Sequence, residues 1–326
     1  VTWNQDNRVS PATPEGVTVT AKKTSGAKKT AKRASKKDAP LQRRACGAMS
    51  AHMRLLEMNP SFRGNQFKLE NATSKLRASA SDARLSAIAT IKVVVHVVYK
   101  TAAENISDAQ IKSQIATMNK DFRAKNSDKS KTPAPWKGLV TDARVSFVLH
   151  KVTRTLTTKS SFGSDDGMKK AATGGIAAVD TKKYLNIWVC TLSNSLLGYA
   201  QFPGGPTSTD GVVILNSAFG TVGTASAPFN KGRTATHEVG HYFNLRHIWG
   251  DTPDCSGSDM VADTPNAEGP NFGTPTFPVI TCNNGPNGDM FVNYMDYTDD
   301  AAMFMFTAQQ VVRVRATLNG PRRALW

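Results

Sequence analysis

Residues 236–247 read Thr236-His237-Glu238-Val239-Gly240-His241-Tyr242-Phe243-Asn244-Leu245-Arg246-His247, and the reading of the whole chain turns on them. On a helix advancing about 100° per residue, His237 and His241 lie about 400° apart, so both imidazoles project from one face and can hold one ion. Glu238, beside the first of them, can reach a water on that ion. Continuing the helix would carry His247 about 600° further, to the far side. The chain must therefore turn before His247 if that side chain is to join the other two. Such a turn wants a residue that tolerates the left-handed conformation, Gly first and Asn next, and Asn244 stands at that place.

The chain has six histidines, so three of them and a glutamate at these offsets are hard to reconcile with an ordinary surface helix. Three imidazoles leave one tetrahedral position for water, which marks a catalytic rather than a closed structural zinc site. Neutral ligands leave the ion its positive charge and lower the bound water's pKa toward roughly 7. Glu238 is then the general base on that water and carries the proton to the leaving amine. His52, His96 and His150 are read as structural or surface residues.

Upstream of this helix the pattern is strand-like. Ile91–Tyr99 (IKVVVHVVY) is β-branched and dense enough for a buried strand. Ser107 is the expected N-cap of a helix on which Ile111, Ile115, Met118 and Phe122 recur. Arg144–Val152, Leu185–Cys190, Gly198–Phe202 and Gly211–Leu215 complete five strands. That order predicts an α/β (α+β) domain with a mixed five-stranded sheet. There is no internal repeat.

The 326 residues are 40% hydrophobic and 20% charged, which excludes a wholly disordered chain. No apolar run approaches the roughly 18 residues of a membrane span. The net charge is +16, but residues 1–45 hold eleven Lys and Arg against three Asp and Glu, half of that total. Their Lys/Ala/Ser/Thr tract, 21–44, offers almost nothing to bury, so residues 1–45 are expected to form a disordered basic arm. The arm could meet nucleic acid, an acidic polysaccharide or an anionic membrane. A solvated linker with dibasic processing sites is the preferred reading, and nucleic acid is not an expected partner. A start at Val1 without an apolar signal core predicts a processed or truncated product. Cys46, Cys190, Cys255 and Cys282 are too few for a disulfide scaffold and lack C-x-x-C spacing. Sequons at Asn71 and Asn105 are compatible with secretion.

With the zinc motif, Asn293-Tyr294-Met295-Asp296-Tyr297 and the stretches LNIWVC, LGYAQFPGG, RHIWGD, VADTPN, NNGPNGDMF and MFTAQQ, the sequence resembles the metzincin metallopeptidases. Within them it is similar to the ulilysin-like pappalysin and cytophagalysin group, over about Lys92 to Leu318. The resemblance implies a catalytic domain at 91–326, with an upper subdomain at 91–241 carrying sheet and zinc helix. A loop-rich lower subdomain would follow at 242–326. It makes Met295 the apolar floor of a Met-turn beneath the ligands, and places Tyr297 where related enzymes bring a tyrosine to the reaction. Strand residues Gly198, Tyr199 and Ala200 would pair with an extended substrate backbone. Asp299 or Asp300 would line a pocket for a basic residue just after the scissile bond.

Further implications concern ligands and cysteines. Asn244 replaces the Gly of the wider pattern. Thr274 and Ala302 stand where relatives often carry a cysteine pair, while Cys255 and Cys282 match the family's other disulfide, which would close a loop worth roughly 3 kcal/mol. Cys190, in an apolar strand, is read as a buried free thiol. Asp259, Asp263 and Thr264, with carbonyls around Val261, offer hard oxygens for calcium, against the alternative of a polar loop capped by its own aspartates.

Cys46 has little to bury against, and a thiolate is a good fourth zinc ligand. Gly47 lets the backbone approach the cleft, and Arg44-Ala45-Cys46-Gly47 resembles a cysteine-switch segment. Residues 46–90 are thus expected to be an inhibitory propeptide, released by cleavage within 78–90, near Arg84. A disulfide to Cys190 or an incidental thiol are the competing readings. Together these expectations describe a secreted zinc endopeptidase made as a latent zymogen, with protein or peptide substrates and its own propeptide as inhibitor. Two other classes compete: a basic polyanion-binding protein with a structural zinc, and a zinc hydrolase of a non-peptide amide. Salt-sensitive binding that survives zinc removal would favour the first, and failure to cut casein or gelatin the second.

Overall fold

Valine and isoleucine dominate β1 (Ala89–Tyr99), and from Val93 to Val98 every residue is buried, as in a strand covered on both faces. The computed structural model describes residues 43–78 and 87–326. The basic arm up to residue 42 and the expected cleavage region around Arg84 lie outside the described residues. Arg44, read from sequence as near the end of that arm, is buried.

Two helices come first, α1 (Ala48–Met58) and α2 (Pro60–Ala78). After β1 comes α3 (Asp108–Asp121), whose Ser107 side chain accepts from the Gln110 amide as an N-cap. Then follow β2 (Val145–Leu156), β3 (Leu185–Cys190), β4 (Gly198–Ala200), β5 (Val212–Leu215) and α4 (Arg233–Tyr242). The last helix, α5 (Ala308–Asn319), opens on a capping box between Thr307 and Gln310.

The sheet order is β2-β1-β3-β5-β4. The first four strands are parallel, and β4 is antiparallel to β5 at the edge. One face packs Val93, Val95, Ile187, Val189 and Ile214 against Ile111, Met118 and Phe122 of the α3 segment and Val239 of α4. The other face buries Trp188, Cys190, Tyr199 and Val213 with Phe162 and Met168. Cys190 is a buried free thiol there. His96 is buried between Thr153 Oγ1 and Asn186 Oδ1, 2.8 Å from each, and His150 stacks on Tyr184.

Residues 243–307 carry little regular structure besides a short 3-10 turn at Asp300–Ala302. Cys255 and Cys282 are joined across this region. The free edge of β4 is not left open: Cys46 bridges Gly198 in parallel, with Leu197 N–H donating to Ala45 O at 2.9 Å and Gly47 N–H to Gly198 O at 2.9 Å.

Candidate active site

Helix α4 is buried along its whole length and anchored at its start. Arg233 reaches Asp121 Oδ1 at 3.1 Å, Asp128 Oδ2 at 3.0 Å and the Tyr294 hydroxyl at 2.6 Å. After Tyr242 the chain does turn at Asn244, whose φ is 71°, and Leu245 N–H returns to Gly240 O at 3.0 Å. That closing turn brings His247 back over the helix. His241 Nε2 lies 3.2 Å from His237 Nε2 and 3.0 Å from His247 Nε2. Two nitrogens on one tetrahedral zinc would be about 3.3 Å apart, so the cluster has the right size.

The opposite nitrogens show which way the lone pairs face. His237 Nδ1 meets Tyr294 O at 2.7 Å, His241 Nδ1 meets Leu245 O at 2.8 Å, and His247 Nδ1 meets Asp251 Oδ1. All three partners are acceptors, so each Nδ1 carries the proton and each Nε2 points its lone pair at the common centre. Burial, with the neighbouring imidazoles, pushes His237 and His241 well below the ordinary histidine range, which keeps them neutral ligands. Asp251 escaped the sequence reading as a partner of His247. Its signal was a carboxylate four residues after a ligating histidine, and Trp249 completes that support by stacking flat on His247 at 4.4 Å.

Met295 is fully buried under the helix. A Cβ on Gly240 would fall 2.4 Å from its Sδ, which explains why this position of the motif has no side chain. Gly240→Ala should force Met295 from its seat, cost about 1–3 kcal/mol and lower Tm by roughly 2–10 °C. A thermal melt unchanged by this substitution would mean that the sulfur does not sit there.

Cys46 Sγ and one nitrogen from each of His237, His241 and His247 lie within 4.8 Å of one another. Sγ also donates to Glu238 Oε2 at 3.4 Å and accepts from Ala48 N–H at 3.3 Å. Burial pushes the Glu238 carboxyl up to about 8, opposed by the Cys46 hydrogen bond and by Arg44. The Cys46 thiol is raised well above its usual range, first by burial and then by Glu238. A cation among the three imidazoles is what would hold it as thiolate. Gly198 cannot carry a side chain here, because a Cβ would stand 2.8 Å from Val213 O and 2.9 Å from Glu238 Cγ. Tyr297 packs on His247 at 4.8 Å between ring centroids and turns its hydroxyl toward Cys46 O at 3.5 Å.

On one side of this cluster Arg44 is buried, donating to Asp300 Oδ1 at 2.6 Å, Thr234 Oγ1 at 3.0 Å and Thr298 O at 3.1 Å. Asp300 is held in turn by the backbone N–H groups of Lys231 and Arg233 at 2.7 and 3.1 Å. Of the two adjacent carboxylates, Asp300 is the one that takes the guanidinium, while Asp299 is partly exposed. His52 of α1 packs between Phe62 and Phe202, and Phe202 lies against His241. Glu70 of α2 receives both Nη atoms of Arg313 at 2.7 and 2.9 Å and Asn244 Nδ2 at 3.1 Å. The residue that departs from the usual glycine thus grips the helix covering it.

The oxygens considered for calcium are divided. Thr264 Oγ1 donates to Asp259 Oδ2 at 2.7 Å and lies 3.1 Å from Val261 O. Burial pushes Asp259 up to about 7, against the hydrogen bonds from Thr264 and Val261. Asp263 faces the start of α5, accepting from Thr307 Oγ1 at 2.6 Å and Gln309 N–H at 3.0 Å.

Comparison with known proteins gives a consistent picture. Residues 175–319 match the peptidase M43 family model, described as pregnancy-associated plasma protein-A. An extracellular metalloprotease of Arthroderma benhamiae is 34% identical over 262 residues, 77% of this chain and 86% of that protein. Extracellular metalloprotease 1 of Coccidioides posadasii is 32% identical over 286 residues, 83% and 88% of the two chains. Mature mirolysin of Tannerella forsythia, solved with a cleaved peptide, superposes with a TM-score of 0.72 at 49% identity, covering 73% of this chain and 96% of that one. A promirolysin mutant from the same organism superposes with 0.80 at 44% identity, covering 86% and 97%.

Proposed function

The chain belongs to the pappalysin (M43) family of metzincin metalloproteases, and on that premise we propose that it is a secreted zinc endopeptidase held latent by the pro-segment expected at residues 46–90, together with Arg44 before it. The observation that carries the proposal is the convergence of three Nε2 lone pairs beside Glu238, with every opposite nitrogen spoken for. His237, His241 and His247 would hold the ion. When bound there, zinc supplies the Lewis acidity that activates the attacking water and the scissile carbonyl.

The remaining work falls to the chain. Glu238 accepts a proton from the water and returns it to the leaving amine. The backbone of Gly198–Ala200 pairs with the extended substrate, as it now pairs with Cys46. Tyr297, whose hydroxyl faces the Cys46 carbonyl in the latent chain, is assigned to donate to the reacting carbonyl once the pro-segment has left. Asp300 receives a basic residue just after the scissile bond, in the socket that Arg44 fills.

Latency follows from the same contacts. Cys46 takes the fourth ligand position, Arg44 fills the Asp300 socket, and the paired backbone blocks the sheet edge. Promirolysin covers more of this chain than mature mirolysin does, by about 40 residues, close to the size of the expected 46–90 pro-segment. Secretion is supported by relatives named extracellular and by the disulfide. No helix among the described residues is long and apolar enough to cross a membrane. Of the calcium ligands expected at Asp259, Asp263 and Thr264, this reading keeps Asp259 and Thr264 with the Val261 carbonyl, because Asp263 is turned to the start of α5.

The activated protein should cleave casein, lose cleavage on treatment with a zinc chelator and regain it with added Zn2+. Casein cleavage that persists after metal analysis shows the zinc gone would contradict the proposal. Binding to polyanions that survives zinc removal, without any cleavage, would favour the polyanion-binding alternative.

A further inference from the structure

The pro-segment places a second arginine against the enzyme, after Cys46 in the chain as Arg44 stands before it. Arg54 of α1 donates through Nη2 to Asp166 Oδ2 at 2.7 Å and through Nη1 to the carbonyl of Ser164. We propose that Asp166 and the Ser164 carbonyl form a guanidinium subsite of the mature enzyme, taking an arginine of the substrate before the scissile bond, and that Arg54 occupies it in the latent chain. The proposal rests on the peptidase reading and adds a substrate class to it: polypeptides with basic residues on both sides of the bond that is cut.

The socket does not depend on Arg54 for its form. Asp166 is buried and holds a left-handed backbone with φ 65°, an uncommon state for a residue with a side chain. Its Oδ1 is fixed by the Tyr199 hydroxyl at 3.0 Å and by Lys169 Nζ at 2.7 Å. Lys169 is itself fully buried and also donates to Thr209 O at 2.6 Å. These partners all belong to the chain after residue 89, so departure of the pro-segment leaves Oδ1 held and Oδ2 free to accept. A carboxylate positioned in advance, beside a carbonyl, suits the forked donors of a guanidinium better than an ammonium.

The socket also lies where a substrate can reach it. Tyr199 is the central residue of β4, the strand that presents its edge to the cleft. A Cβ at position 47, one residue past the sulfur-bearing position, would stand 3.5 Å from Ser164 Cβ and 3.3 Å from Tyr199 Cβ. Any peptide laid along that edge therefore passes Ser164 within one residue of the reacting centre, and a long basic side chain on it can extend to Asp166. Asp300 takes Arg44, two residues before the sulfur-bearing position on the same paired stretch, whereas Ser164 lies by position 47 after it, so the two acidic sockets are reached from either side of that position along the chain.

The test uses activated wild-type enzyme and quenched fluorescent peptides that all carry Arg just after the scissile bond. Arginine, its neutral isostere citrulline, or alanine is placed one, two or three residues before it. At one of these positions kcat/KM should be at least about tenfold higher for arginine than for citrulline, as a charge-assisted hydrogen bond allows. In Asp166→Asn the arginine-to-citrulline ratio at that position should fall toward one, a ratio insensitive to how much of the variant is folded. Equal rates for arginine and citrulline at all three positions in the wild-type enzyme would overturn the subsite and leave Arg54 as an anchor of the pro-segment alone. Absence of any cleavage would overturn the peptidase reading and this proposal with it.

Discussion

Glu238→Ala is expected to lower turnover of the activated enzyme by at least about 100-fold while zinc content and thermal stability stay close to those of the parent. General base catalysis contributes typically 10² to 10⁴. Glu238 is fully enclosed beside the metal cluster, and among the described residues its carboxylate accepts a side-chain hydrogen bond from Cys46, so the substitution removes the proton acceptor while the helix keeps its backbone bonds. The three imidazoles keep their Nδ1 partners in this variant, so bound zinc should be retained. Steady-state kinetics with metal analysis on the same sample decides the matter. Wild-type turnover at full zinc occupancy would remove Glu238 from its role.

Cys46→Ala in the full chain should show peptidase activity, or cut itself, before any processing, at a rate at least about tenfold above the latent parent. A tenfold change needs only about 1.4 kcal/mol of lost restraint, less than a metal–thiolate bond supplies. The sulfur lies within the metal cluster and also engages Glu238, so one atom restrains both the ligand position and the base. Full release is not expected, because Arg44 on Asp300, Arg54 on Asp166 and Glu70 on Arg313 remain. Side-by-side assays of freshly purified parent and variant measure this. Equal latency in the two proteins would contradict the switch.

Local chemistry explains what could be read in advance. Leu185–Cys190 is six buried residues in a row, and its limits were legible as written. The zinc helix was legible because its chemistry repeats at helical spacing, and the turn after it because Asn244 is one of few residue types that hold φ 71° without great cost. β4 ends at Ala200, short of the expected Phe202, because that ring leaves the sheet to pack between His52 and His241. β2 runs on to Leu156 through polar residues since, at the sheet edge, it needs burial along one face alone.

Long-range pairing explains what was not legible. The helix α2 has a weak apolar face, and its place is set by Glu70 meeting Arg313 from 243 residues away. Arg44 reads as one more charge in a basic tract until Asp300, 256 residues on, turns out to receive it. Nothing in the sequence singles out Asp166 and Asp251, since their roles are defined by Arg54, Lys169 and His247 in space rather than by any spacing of their own.

The most direct test of the account is zinc K-edge X-ray absorption on the full-length latent protein. One sulfur at about 2.3 Å with three nitrogens at about 2.0–2.1 Å is the expected first coordination sphere, and the sulfur should vanish in Cys46→Ala. Four nitrogen or oxygen ligands and no sulfur in the latent parent would contradict it.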